Sequence, residues 1–91
     1  MGFKVMQIID GNTIEVSPNW KWLAISGYTV KIVGYRPPTG EFGDFVKAKL
    51  SILILGQTVE LKNPISVNDN ELNCFVYLNN INISLFFSDL K

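Results

Sequence analysis

The chain contains no histidine and a single cysteine, Cys74. Without histidine there is no His-based catalytic triad and no mixed Cys/His zinc site. With one cysteine there is no intrachain disulfide. Cys74 sits in the apolar run Cys74-Phe75-Val76-Tyr77 and reads as a buried structural thiol, because nothing nearby could activate it as a nucleophile. Charge of either sign is also scarce. Eight basic and eight acidic residues cancel to a formal net charge of zero, and Arg36 is the only arginine. Zero net charge disfavours nucleic acid or an anionic membrane as a partner for the chain as a whole. No apolar run approaches the roughly 18 residues of a membrane-spanning helix. Met1-Gly2-Phe3-Lys4 has no signal-peptide core, so the chain as given reads as cytoplasmic, with no membrane partner.

What is present is a globular composition. The 91 residues are 47% hydrophobic, with a mean hydropathy of +0.21, which suits one domain over residues 1–91. A chain this short buries roughly 60–70% of the surface exposed by its unfolded form, enough for one core. Phe3 to Ile9 alternates as a strand and ends at the turn cluster Asp10-Gly11-Asn12, where Gly11 is expected to supply a positive φ. Thr13 to Ser17 alternates again and completes a hairpin, with Pro18 and Asn19 as its stop. Trp20-Lys21-Trp22-Leu23 falls in the next connection. Tyr28 to Val33 is a third strand, ended by Gly34 and by the prolines of Arg36-Pro37-Pro38-Thr39-Gly40.

From Phe42 the apolar period changes from two to about 3.6 residues. Phe45 and Val46, Lys49 and Leu50, then Leu53 and Ile54 form a helical stripe. Asp44 suits the positive end of the helix dipole, and Gly56 is a C-terminal stop. The polar face is narrow, which predicts a helix lying deep against the sheet. Thr58 to Lys62 is a fourth strand, ended by Asn63-Pro64, and a polar excursion from Asn68 to Glu71 leads to a fifth, Asn73 to Leu78. Asn79-Asn80 turns the chain into an apolar tail from Ile81 to Leu90, helical or extended. Three strands, a helix and two strands is the order of a mainly β, five-stranded OB-type Greek-key barrel with its helix between strands three and four. An open α+β sandwich is the alternative reading of the same string.

Ile9-Asp10-Gly11-Asn12-Thr13-Ile14 resembles the Ile-Asp-Gly-Asp-Thr-Val signature of the staphylococcal nuclease (thermonuclease) family. Val30-Lys31-Ile32-Val33-Gly34-Tyr35-Arg36-Pro37-Pro38 is similar to that family's Val-Arg-Leu-Ile-Gly-Ile-Asp-Thr-Pro-Glu. The helix followed by Leu55-Gly56-Gln57-Thr58-Val59-Glu60-Leu61 resembles its helix and Leu-Gly-Lys-Thr-Val-Glu-Leu, and Asn73 to Leu78 fits its last barrel strand. The likeness runs in order from Phe3 to about Leu85. It implies the OB barrel and, in an intact member, calcium-dependent phosphodiester hydrolysis. Carboxylates hold the metal, two arginines stabilise developing phosphate charge, and a glutamate activates water.

Carried across, these roles are mostly lost. Asp10 keeps the first metal-ligand aspartate. Asn12 stands at the second and Arg36 at the third, a reversal of charge beside the implied cation. The first arginine falls on Lys31, which lacks the bidentate fork. The glutamate falls on Thr39 or a neighbour, none of them acidic, and Glu41 lies two positions late. The second arginine falls near Glu71. A hard cation needs several oxygen ligands, so neither calcium nor another cofactor is expected, and loss of phosphate-charge stabilisation removes the basis of catalysis.

The same residues have plainer readings. Asp10 and Asn12 suit an ordinary hairpin turn, and Lys31 and Arg36 suit surface charges. Trp20 and Trp22 cover a barrel end or, with Lys31 and Arg36, form a ligand surface for stacked bases. Relative to the family's enzymes, which continue into further helices, the tail Leu85-Phe86-Phe87-Ser88-Asp89-Leu90-Lys91 is expected to leave an apolar interface. The expectation is therefore a catalytically inactive nuclease-like domain acting as a binding or protein-interaction module, its partner an unidentified protein or a second copy. The alternatives are a calcium-dependent nuclease with residual activity helped by Glu41, and a single-stranded nucleic-acid binder.

Overall fold

A computed structural model describes residues 2–90; Met1 and Lys91, the ends of the expected domain, lie outside the described residues. Strands β1 (Phe3–Asp10), β2 (Thr13–Trp22) and β3 (Ile25–Ile32) form an antiparallel meander. Helix α1 (Glu41–Ile54) follows, then β4 (Thr58–Asn68), β5 (Glu71–Leu78) and the two-residue β6 (Ile81–Asn82). A 3-10 segment over Ile83–Leu90, kinked at Phe87, ends the described chain. The sheet order is β3-β2-β1-β4-β5-β6, and a further parallel pairing of β3 with β5 closes it. The result is a five-stranded OB-type barrel with its helix between β3 and β4, and the open sandwich is excluded. The seam between β1 and β4 is short, with Phe3 opposite Val59 and Lys4 opposite Thr58.

The core explains the order. Val5, Ile8, Ile14, Val16, Val30, Ile32, Val59, Leu72, Cys74 and Val76 are buried at alternating strand positions, as a filled small barrel requires. Helix α1 adds Val46, Leu50 and Ile54, one residue per turn. That stripe is narrower than the sequence pattern implied: Phe45 is 70% exposed and Ile52 85% exposed. The helix packs against β1 and turns an apolar face outward. Gly56, at φ 79°, follows the capping residue Leu55, as expected of a stop.

Two prolines lie within strands rather than ending them. Pro18 falls in β2 and Pro64 in β4, each inside a register shift, where an absent N–H breaks no ladder bond. β2 thereby continues through the two tryptophans to a two-residue hairpin turn at Leu23-Ala24. Both turn residues adopt positive φ, 51° and 65°, the conformation that asparagine and glycine accept far more easily. The Asp69-Asn70 and Asn79-Asn80 turns have the same geometry with favourable residues. Replacing Leu23→Asn together with Ala24→Gly is expected to stabilise the fold by about 1 kcal/mol, measured as a higher urea midpoint with unchanged slope.

Candidate functional site

The turn between β1 and β2 is the centre of the region on which the resemblance places catalysis. The Asp10 carboxylate accepts the Asn12 backbone N–H at 3.0 Å, a local cap that fixes the turn. The Asn12 carbonyl accepts the Ile32 N–H at 2.7 Å, and the Tyr35 hydroxyl donates to the Gly11 carbonyl at 2.7 Å. Gly11 is not at positive φ, contrary to expectation. It is needed for room, because a Cβ there would lie 2.6 Å from the Pro37 side chain.

Two shallow clefts flank this turn and share Asn12. One, of about 410 Å³, is lined by Asp10, Asn12, Thr39, Asp44 and Lys47 among others. The other, of about 570 Å³, is lined by Asn12, Lys31, Tyr35, Arg36 and Asn73 among others. Five sequence-picked positions, Asp10, Asn12, Lys31, Arg36 and Thr39, thus gather around one turn although they span thirty positions of sequence. Glu71 lines neither cleft. It pairs with Thr29 in the β3–β5 ladder, while Asn73, two residues on and opposite Lys31, faces the second cleft. Glu41 lines neither cleft; it lines a neighbouring groove with Asp44, Phe45 and Ala48, which adjoins the first cleft through Asp44. Asp44, Lys47, Tyr35 and Asn73 were missed by sequence reasoning. The period-2 relation of Asn73 to Glu71 was the one available signal for any of them.

These donors do not fit a calcium cage, which takes six to eight oxygens. The two carboxylates are Asp10, which already accepts a backbone N–H, and Asp44; Asn12 is neutral, and Lys31, Arg36 and Lys47 bring positive charge to the same two clefts. Among the described residues, no three of Cys, Asp or Glu come close enough to share one ion.

The proposed ligand surface is divided by the fold. Trp20 is 1% exposed, and its Nε1–H donates to the Thr29 carbonyl at 2.8 Å. Its ring lies against Gly27, where a Cβ would come within 2.8 Å. Trp20 therefore cannot stack an incoming base. Half-buried Trp22 lies beside it in a cleft with Phe3, Leu61 and Leu72, which shares no lining residue with the Lys31–Arg36 cleft. The tail is likewise only partly an open surface. Phe87 is buried and stacked on Tyr35, with ring centroids 4.4 Å apart, whereas Leu85 and Phe86 point outward.

Burial acts on two acids in the interior. It pushes the Cys74 thiol from an ordinary value of 9.0 up to about 12. It raises the Tyr35 phenol as well, with the negative charge of nearby Asp10 adding to the effect. Both groups are held neutral in the folded chain, so the stability they contribute is complete below their unfolded pKa values and is lost as pH climbs through the folded ones. Urea midpoints are expected to fall progressively above about pH 9, and a Cys74→Ala variant should show a shallower fall. Thiol labelling of the native protein at neutral pH should run at least about a hundredfold slower than in urea, since it requires opening of the barrel.

Among the described residues, no helix is long and apolar enough to cross a membrane. Compared with models of known protein families and with curated proteins, the chain matches none.

Proposed function

We propose that the chain is a degenerate relative of the staphylococcal nuclease family that has kept the barrel, lost the chemistry and serves as a protein-interaction module. The observation that carries this reading is the content of the turn region. Where an intact member needs acids for calcium and arginines for phosphate, Asp10, Asn12, Lys31, Arg36 and Thr39 supply one carboxylate, an amide, two cations and a hydroxyl around two shallow clefts. With Asp44 the one further carboxylate among the described residues lining these clefts, the set falls short of the oxygens a hard cation takes and offers no acid where the family has its water-activating glutamate. Apolar surface elsewhere on the molecule supports the interaction role, since Phe42, Phe45, Ile52, Leu85 and Phe86 are all exposed large hydrophobics on one helix and the tail that follows the barrel.

A calcium titration followed by thermal melting tests the first half of the reading. A ligand at about a hundred times its dissociation constant stabilises by about 2.7 kcal/mol, so millimolar affinity would be visible as a rise of several degrees. The expected result is no calcium-specific rise, with magnesium giving the same curve. The nucleic-acid alternative is tested beside it. Lys31 and Arg36 line one cleft without an accessible tryptophan, so single-stranded DNA is expected to bind no more tightly than about 100 µM at physiological salt. Micromolar, salt-dependent binding abolished by Arg36→Ala would replace the interaction module with that alternative.

A further inference from the structure

The outward face of α1 has an unusual composition for a helix that already buries its core stripe. Directly opposite Val46, Leu50 and Ile54 lie Phe45, Ala48 and Ile52, with Phe42 beside them. A cleft of about 290 Å³ joins this face to the tail and is lined by Phe42, Phe45, Lys49 and Phe87 among others. Lys49 reaches across it, donating to the Phe86 carbonyl, with its ammonium 4.8 Å from the centre of the Phe87 ring. Helix face and tail therefore form one largely apolar surface, with Lys49 and Asp89 set into the cleft between them.

We infer that this surface is a two-fold interface with a second copy of the chain, a deepening that rests on the interaction-module reading above. Area is the first argument. Phe42 is 71% exposed, Phe45 70%, Ile52 85% and Phe86 40%. At ~200 Å² for a large side chain, these four expose roughly 500 Å² of apolar surface. A stable dimer buries about 800 Å² per partner, and roughly 65% of a homodimer interface is apolar, again close to 500 Å².

Charge is the second argument. Glu41, Phe45 and Lys49 are spaced four residues apart and form one ridge of the helix. In an antiparallel crossing with Phe45 on the two-fold axis, Glu41 of each chain lies over Lys49 of the partner subunit. The pair is satisfied twice by the symmetry of an isologous contact. The same register sets Phe42 against Ala48 of the partner subunit, whose small side chain leaves room for the ring. A parallel arrangement would oppose Glu41 to Glu41 and Lys49 to Lys49, so charge selects the antiparallel one.

Sedimentation equilibrium from about 5 to about 500 µM tests the inference over the range of a modest homodimer. The full chain is expected to pass from monomer to dimer mass with rising concentration. Phe45→Asp should raise the dissociation constant at least about thirtyfold without lowering the melting temperature of dilute protein, because the position is exposed in the monomer. Glu41→Lys and Lys49→Glu should each weaken the dimer about fivefold, and the double exchange should recover most of the loss. A monomer at every concentration overturns the inference, as does a dimer that Phe45→Asp leaves intact. A monomer that docks on a different protein through Phe45 overturns self-association while the interaction module stands. Calcium-dependent DNA cleavage would instead remove that module reading, whatever the oligomeric state.

Discussion

Trp20→Ala is expected to leave the protein largely unfolded at 37 °C. Its indole is among the largest fully buried side chains, closes one end of the barrel and fills the space that Gly27 leaves open. Truncating a buried tryptophan costs about 3–5 kcal/mol, and the Thr29 carbonyl, which now accepts the indole N–H at 2.8 Å, loses its partner at about 1 kcal/mol more. A domain of this size has about 5–15 kcal/mol in total. The melting temperature should therefore fall by roughly 15–45 °C. Trp20→Phe keeps most of the buried area but not the donor and should lose only about 1–2 kcal/mol. Trp22→Ala, at a half-buried position, should cost less than Trp20→Ala. Equal and small effects at both tryptophans in urea melts would contradict the structural role assigned to Trp20.

Phe87→Ala should have an effect of similar size, and one that reaches further along the chain. The ring is fully buried, stacked at 15° on Tyr35, and its loss costs about 3–5 kcal/mol. The tail is tied to the same segment a second time, by the Arg36 N–H donating to the Leu90 carbonyl at 2.7 Å. Tyr35 in turn holds the Gly11 carbonyl. Release of Phe87 therefore loosens the turn at Asp10-Gly11-Asn12 through one intervening residue. Hydrogen exchange should show faster exchange at Arg36 and Ile32, whose amides donate to Leu90 and Asn12, and slower change at β4 and β5. Phe86→Ala and Leu85→Ala, at exposed positions, should stay within about 0.5 kcal/mol of the parent. A tail that could be truncated at Phe87 without loss of stability would contradict this account.

The sequence was most informative where period and turn chemistry agreed. The alternation from Phe3 to Ile9, the helical stripe of Val46, Leu50 and Ile54, and the stop at Gly56 all appear in place, and their order gave the barrel. Prolines misled, because Pro18 and Pro64 sit in bulges that only the partner strand defines. The helix lies less deep than its narrow polar face predicts, since Phe42, Phe45 and Ile52 satisfy the same apolar pattern whether they face the barrel or a second surface. In the site region, the gathering of Asp10, Asn12, Lys31, Arg36 and Thr39 followed from their motif positions. The roles of Tyr35 and Asn73 did not, because a hydrogen bond to a main-chain carbonyl and a parallel β3–β5 register leave little trace in a single sequence. Trp20 carried a pattern compatible with either a platform or a plug, and burial decided between them.

Catalytic inactivity is the centre of the account, and hydrolysis of single-stranded DNA in millimolar calcium tests it most directly, at micromolar protein beside an active nuclease. The account predicts no cleavage above a protein-free control, and no difference between the parent chain and Asp10→Ala. Calcium-dependent cleavage abolished by Asp10→Ala would contradict it, and would mean that Asp10 and Asp44, which line the same cleft, hold a metal that their present arrangement does not favour.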